Sequence, residues 1–204
     1  MKVFFNFSLN EYSNSYLVGT KGKKEAILID PGQITLELIE LIEANNFDIS
    51  SVLITHRHRA HTEGLGTLLK IYNPTIYVGS KELYDFEVVE VEDNMHLILG
   101  DIEVECIAIP GHSIDSFVYK IDNTLFTGDV LLAGKVGSAN GVTEKALLLK
   151  GIKKKLLTLD ERLLIFPGHG TISALKIEKM FNHELIEAMA IEDLESLSHP
   201  SIVT

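Results

Sequence analysis

The chain has 204 residues, 46% of them apolar and 23% charged, enough for a sizeable core in one large domain or two small ones. Its 18 basic and 29 acidic residues leave a net charge of −11, which disfavours nucleic acid and anionic membranes as partners. No apolar run approaches the ~20 residues that span a bilayer, no signal-peptide pattern is visible, and Cys106 is the lone cysteine, so no internal disulfide can form and a cytoplasmic location is expected.

Val3–Phe7, Ser15–Val18 and Ala26–Ile29 read as strands, the last closing on the turn Asp30-Pro31-Gly32. Ile34, Leu38, Leu41 and Ile42 recur at helical spacing and predict a helix to about Ala44. Val52–Ile54 is a short buried strand that runs straight into Thr55-His56-Arg57-His58-Arg59-Ala60-His61. A helix is expected over Leu65–Tyr72, a strand over Thr75–Val78 and a short helix over Lys81–Phe86. From Leu97 to Phe126 the pattern is a run of strands, with turns at Gly100-Asp101, Pro110-Gly111 and Asp122-Asn123. Lys145–Leu159 is helical by periodicity, Leu163–Phe166 a strand, and Ser173–Met189 one helix. The tail Ile191–Thr204 begins amphipathic and frays at His199-Pro200. With no linker, repeat or low-complexity segment, residues 1–204 read as one domain with 188–204 as a C-terminal helical extension. Strands mixed with helices throughout give an α/β class in which helices cover sheets.

Eight histidines are present. His96, His183 and His199 are read as ordinary structural or surface residues. The other five stand at element ends beside glycine, proline or tight loops. His56 and His58 are one residue apart after a buried strand, and alternate side chains of an extended segment point the same way, so both imidazoles can reach one ion. His61 follows where a turn could aim it at a neighbouring point. Three further strands end in a glycine and then a ligand type: Pro110-Gly111-His112-Ser113, Phe126-Thr127-Gly128-Asp129 and Pro167-Gly168-His169-Gly170. Sites in layered α/β proteins collect beyond strand ends, where loops converge. Imidazole and carboxylate suit zinc, with iron or manganese as alternatives. Cys106, in an apolar run, reads as an inert core thiol, and Ser113 as a loop hydrogen-bonding residue.

Taken in order, Thr-His-x-His-x-x-His, Pro-Gly-His-Ser, Phe-Thr-Gly-Asp and Pro-Gly-His-Gly resemble the metallo-β-lactamase superfamily, nearest its glyoxalase II-like branch. The resemblance runs from Ala26–Gly32 to the helix around Leu175–Leu185. It implies a four-layer αββα sandwich with metal at the edge where two sheets meet. It further implies that His56, His58 and His112 hold a first ion, His61 and His169 a second, and Asp129 bridges both, with Asp30 as a supporting residue beneath. Asp129 is then also the candidate catalytic residue, completing the shell and orienting the water.

Two departures stand out. The first motif of the family is His-x-His-x-Asp-His, and its aspartate, a ligand of the second ion, is replaced by Ala60; Glu63 is the only carboxylate nearby in sequence. Losing that charge weakens the second site more than the first. The glyoxalase-type Ala-Gly-x-x-Gly-Arg segment reads Ala133-Gly134-Lys135-Val136-Gly137-Ser138, so its anion-gripping base is absent. The expected function is a metal-dependent hydrolase in which one or two zinc ions supply bound hydroxide to a small ester- or thioester-type substrate. The alternatives are a mononuclear iron redox enzyme resembling persulfide dioxygenases, or a non-catalytic metal-binding member of the fold. Sequence is silent on oligomeric state.

Overall fold

The structure, a computed structural model, describes residues 1–9 and 11–198, with side chains described to residue 190. The expected fraying at His199-Pro200 lies outside these residues. Two six-stranded sheets form the frame. The first holds Lys2–Phe7 (β1), Asn14–Gly19 (β2), Glu25–Ile29 (β3), Asp48–Leu53 (β4), Thr75–Val78 (β5) and Val89–Glu90 (β6), side by side in chain order. Its first two pairings are antiparallel and the rest parallel. The later strands are His96–Leu99 (β7), Ile102–Ala108 (β8), Phe117–Ile121 (β9), Thr124–Gly128 (β10), Leu131–Leu132 (β11), Lys135–Val136 (β12), Leu164–Pro167 (β13) and Ser173–Ala174 (β14). The second sheet takes the order β14-β13-β10-β9-β8-β7, while β11 and β12 pair as a small hairpin beside it.

Side-chain alternation builds the layers. Ile27, Ile29 and Leu53 of the first sheet meet Val104, Cys106, Phe117, Tyr119 and Phe126 of the second in one inter-sheet core. The opposite face of the first sheet, through Ala26, Leu28, Val52 and Ile54, buries Leu38 and Ile42 of the helix Leu36–Ala44 (α1). The same layer takes Leu65 and Leu68 of the short helix Leu65–Leu68 (α3), which follows another at Arg59–Thr62 (α2). The outer face of the second sheet, through Ile107, Val118, Leu125 and Ile165, buries Leu148 of Val142–Gly151 (α4), Leu175 of Leu175–Phe181 (α5) and Leu185 of His183–Ser198 (α6). The result is helix, sheet, sheet, helix, as expected. Strands buried on both faces read as continuous apolar runs, as Ala26–Ile29 of β3 does.

Several boundaries differ from expectation. The segment Lys81–Phe86 gives only a three-residue 3₁₀ turn, Lys81–Leu83; its side chains are exposed or half-buried, and no apolar stripe rewards a longer helix. The helix expected over Leu65–Tyr72 closes at Leu68 and continues only as turns. The one expected at Lys145 starts at Val142 and ends in a π-helical turn, Ile152–Leu156. The single helix over Ser173–Met189 is instead β14, α5 and α6. Asn182 breaks it: its backbone turns extended (ψ 103), its side-chain oxygen accepts from Leu185 N at 3.3 Å to cap α6, and its amide donates to buried Glu178. Among the described residues, no helix is long and apolar enough to cross a membrane.

Candidate metal centre

Five segments converge at one end of the sandwich: the turn before β2, the loop from β4 into α2, and the loops that leave β8, β10 and β13. His56 and His58 follow β4, and His61 sits in α2. His112 lies in the turn after β8, Asp129 directly after β10, and His169 after β13. All six residues singled out from the sequence meet here. His56 Nε2, His58 Nδ1 and His112 Nε2 stand 2.9–3.2 Å from one another. Asp129 Oδ2 is 3.6 Å from His112 Nε2 and 4.0 Å from His56 Nε2. On the other side of Asp129, His61 Nε2 lies 3.6 Å from Oδ1 and His169 Nε2 lies 3.5 Å from Oδ2. Two groups thus have metal-ligand spacing: His56, His58, His112 and Asp129, and then His61, Asp129 and His169.

The outer nitrogens explain why the inner ones face the centre with lone pairs. His61 Nδ1 donates to Asp30 Oδ2 at 2.9 Å, His112 Nδ1 to the Ser138 carbonyl at 2.8 Å, and His169 Nδ1 to the Tyr12 carbonyl at 2.9 Å. His56 Nδ1 lies 3.2 Å from Thr55 Oγ1, whose own proton goes to Asp30 Oδ2. Each acceptor fixes the proton on the outer nitrogen and frees Nε2, the arrangement that orients imidazole ligands. Asp30, itself buried, also accepts from Thr55 N at 2.8 Å, so one carboxylate steadies both His56 and His61.

Electrostatics agree with geometry. Burial pushes His56 well below the ordinary imidazole range, and the charge at His61 adds to this. His58 is lowered by burial and by His112. Burial also opposes charge at His61, but Asp30 and Asp129 outweigh it and push its pKa up to about 10. Asp129 is raised by burial and lowered more by His61, which leaves it well under the usual carboxylate range. His56 and His58 are held neutral beside an anionic Asp129, and in the metal-free protein the charge that balances Asp129 sits on His61, the place a metal ion would take over. Moreover, the buried atoms His61 Nε2 and Asp129 Oδ1 have no hydrogen-bond partner, a costly state that an ion would relieve.

Glycine makes the close approach possible. A Cβ on Gly168 would press on the His61 ring and sit 2.6 Å from Asp129 Oδ1. Gly128, at φ 49, faces the Thr55 side chain, where a Cβ would collide. The two sheets are tied beside the site: Asn14 N donates to the Gly168 carbonyl at 2.7 Å, Asn14 Nδ2 to Pro167 and Gly170 carbonyls at 2.9 Å, and Tyr16 Oη to the Pro167 carbonyl at 2.7 Å.

A sequence model of the metallo-beta-lactamase superfamily matches residues 10–169. The chain belongs to the metallo-β-lactamase superfamily. Among its relatives in that superfamily, a hydroxyacylglutathione hydrolase of Actinobacillus pleuropneumoniae is 31% identical over 168 residues, 80% of this chain and 69% of its own. A probable polyketide biosynthesis zinc-dependent hydrolase of Bacillus velezensis is 26% identical over 180 residues, 83% of this chain and 79% of its own. The crystal structure of ETHE1 from Myxococcus xanthus superposes with a TM-score of 0.78 at 26% identity, covering 98% of this chain and 93% of the other.

Against the superfamily pattern, Ala60 offers the centre no side-chain ligand. It contributes only backbone: its carbonyl accepts from Ser13 Oγ at 2.7 Å. Glu63 does not replace the missing carboxylate, because it pairs with Arg59 on the surface. Ser138, where glyoxalase-like members of the superfamily carry a base, serves through its backbone carbonyl, and Lys135 is exposed on β12. Neither candidate nucleophile competes with metal chemistry. Cys106 is fully buried in the inter-sheet core, which pushes its thiol up to about 12, and Ser113 Oγ donates to Asp115. His96 pairs with Glu103 on the surface and His183 is exposed at the start of α6. The sequence reading did not single out Asn14, Tyr16, Gly168 or the Tyr12 carbonyl. Only Gly168 had a signal, its place between strand end and ligand.

Proposed function

We propose that this protein is a metal-dependent hydrolase of small ester- or thioester-type substrates, with zinc as its metal. The observation that carries the reading is the convergence of five imidazoles on Asp129, four of them (His56, His61, His112 and His169) anchored through their outer nitrogens. His56, His58, His112 and Asp129 would hold one ion, and His61, His169 and Asp129 a second. A bound dication supplies an acidified water and a positive centre for a developing oxyanion. The chain's own part is to aim lone pairs, through Asp30 and the carbonyls of Ser138 and Tyr12, and to keep Asp129 ionised as a proton acceptor. The second group has three protein ligands, the number that typically leaves a catalytic ion an open position. The hydrolase activities for which the two relatives are named support hydrolysis over other chemistries of the fold.

A second reading is mononuclear iron redox chemistry. Its specific support is that the first group is complete without residue 60. The test is elemental analysis of protein purified without added metal, followed by assay. About one to two zinc per chain, with thioester hydrolysis abolished by a chelator and restored by zinc, is the expected result. Iron at one per chain, with oxygen consumed on addition of a persulfide and no thioester turnover, would establish the second reading instead. Metal without either activity would leave a non-catalytic metal-binding protein.

A further inference from the structure

The chain has three arginines, and two of them lie inside the metal motif. Arg162 is held by Asp160, and Arg59 by Glu63 and Glu11. Arg57 is exposed and forms no ion pair or hydrogen bond with any described residue. It stands between two ligands whose rings turn towards the centre. In an extended segment the intervening side chain points to the opposite side, so the guanidinium stands beside the metal groups and away from the reacting position. There it lines an open groove of about 500 Å³ whose other walls include His58, Leu65, Leu83, Tyr84 and Phe86. The Arg57 charge acts on the Tyr84 hydroxyl within the groove. Asp85 is the one carboxylate on the lining and also has no ion-pair partner among the described residues; with Arg59 held by Glu63 and Glu11, Arg57 is the unpaired cation of the groove. In a chain of net charge −11 an unpaired guanidinium beside the metal centre stands out as a free anion-binding group. A guanidinium fork matches carboxylate and phosphate oxygens, while Leu83 and Phe86 offer an apolar wall to the linker between charge and reacting carbonyl.

We propose that the groove beside His58 is the subsite for the carboxylate- or phosphate-bearing end of an acyl substrate, and that Arg57 is its specificity-determining cation. The proposal rests on the hydrolase reading above. It also supplies, from another side of the centre, the basic group that Ser138 does not provide.

The test uses the zinc-loaded full chain and three thioesters: neutral S-acetylpantetheine, its phosphorylated counterpart S-acetylphosphopantetheine, and carboxylate-bearing S-acetylglutathione. In the wild type the anionic thioesters are preferred, and raising salt reduces that preference. In Arg57→Met the ratio of kcat/KM for anionic over neutral thioester falls about tenfold, mainly through KM, with partial recovery in Arg57→Lys. A fall confined to the phosphate or to the carboxylate arm supports the proposal and identifies the anion. An unchanged ratio, with all three substrates affected alike, overturns it. Calorimetric binding of S-methylglutathione and S-methylphosphopantetheine, which have no thioester to cleave, separates this proposal from the activity itself. If no thioester is turned over, the hydrolase reading fails. Binding lost in Arg57→Met would then still uphold the subsite, and binding indifferent to Arg57 would overturn it.

Discussion

Replacing Asp30 by asparagine tests whether that buried carboxylate sets the ligand tautomers or merely shapes its turn. The substitution keeps the side-chain outline, and asparagine tolerates the left-handed backbone found there, φ 50. The remaining oxygen can still accept from Thr55 N, as Oδ1 does at 2.8 Å. The new amide nitrogen, a donor, would occupy the place where Oδ2 accepts from Thr55 Oγ1 at 2.7 Å and His61 Nδ1 at 2.9 Å. Two donors cannot pair, so His61 must carry its proton on Nε2, where it faces Asp129 and no longer offers a lone pair. Loss of the charged acceptor from both Thr55 Oγ1 and His61 Nδ1 should cost about 1.5–3 kcal/mol per bond in the metal-free protein. Zinc affinity at the His61–Asp129–His169 group should fall about 10–100-fold, as for other residues that orient metal ligands. The group containing His56, His58 and His112 should lose less. Urea denaturation of the metal-free protein gives the first quantity, and competition with a chromogenic chelator the second. A clear stability loss with both zinc affinities unchanged would refute the tautomer argument and leave Asp30 as a loop anchor.

Ala60→Asp should raise zinc occupancy at the second group, read as ions per chain by elemental analysis. Unchanged occupancy would show that some other group already supplies the missing charge. Gly168→Ala should weaken zinc binding at both groups, because the added methyl presses on His61 and Asp129 together; a chelator competition showing wild-type affinity would exclude that crowding. The metal-free protein should show a stability maximum near the ordinary imidazole pKa of about 6.5. Below it, His56 and His58, held under their unfolded values, add stability as pH rises. Above it, His61, held at about 10, loses stability because the unfolded chain has already released its proton. Urea midpoints measured from pH 5 to 8 check both signs, and a curve that climbs through pH 8 would contradict the second.

Much of this was legible in the sequence for a physical reason. Each ligand follows a strand whose apolar run had to be buried, and strand ends of a layered fold gather at one edge. His56, His58, His112, Asp129, His61 and His169 are therefore legible as a group from the sequence alone. The groups that orient them were less visible. The carbonyls of Tyr12 and Ser138 belong to backbone, which any residue supplies, and Asn14 acts on Pro167 and Gly170 across more than 150 positions of chain. The break at Asn182 was hidden because apolar periodicity runs through it, although the bonds that end one helix and cap the next, to Glu178 four residues back and Leu185 three residues on, are local. The freedom of Arg57 became visible only when the partners of the other two arginines were known.

The seam between the sheets has a mechanical consequence. His56 and His58 hang from one sheet, His112 and Asp129 from the other, and Asn14 and Tyr16 stitch the same edge. An ion held there is a clasp across two half-structures. Loading to a hundredfold above Kd would add about 2.7 kcal/mol to their cohesion. Conversely, a substitution far from the centre that tilts one sheet against the other would be felt first as altered coordination, so metal content becomes a gauge of how well the two halves fit.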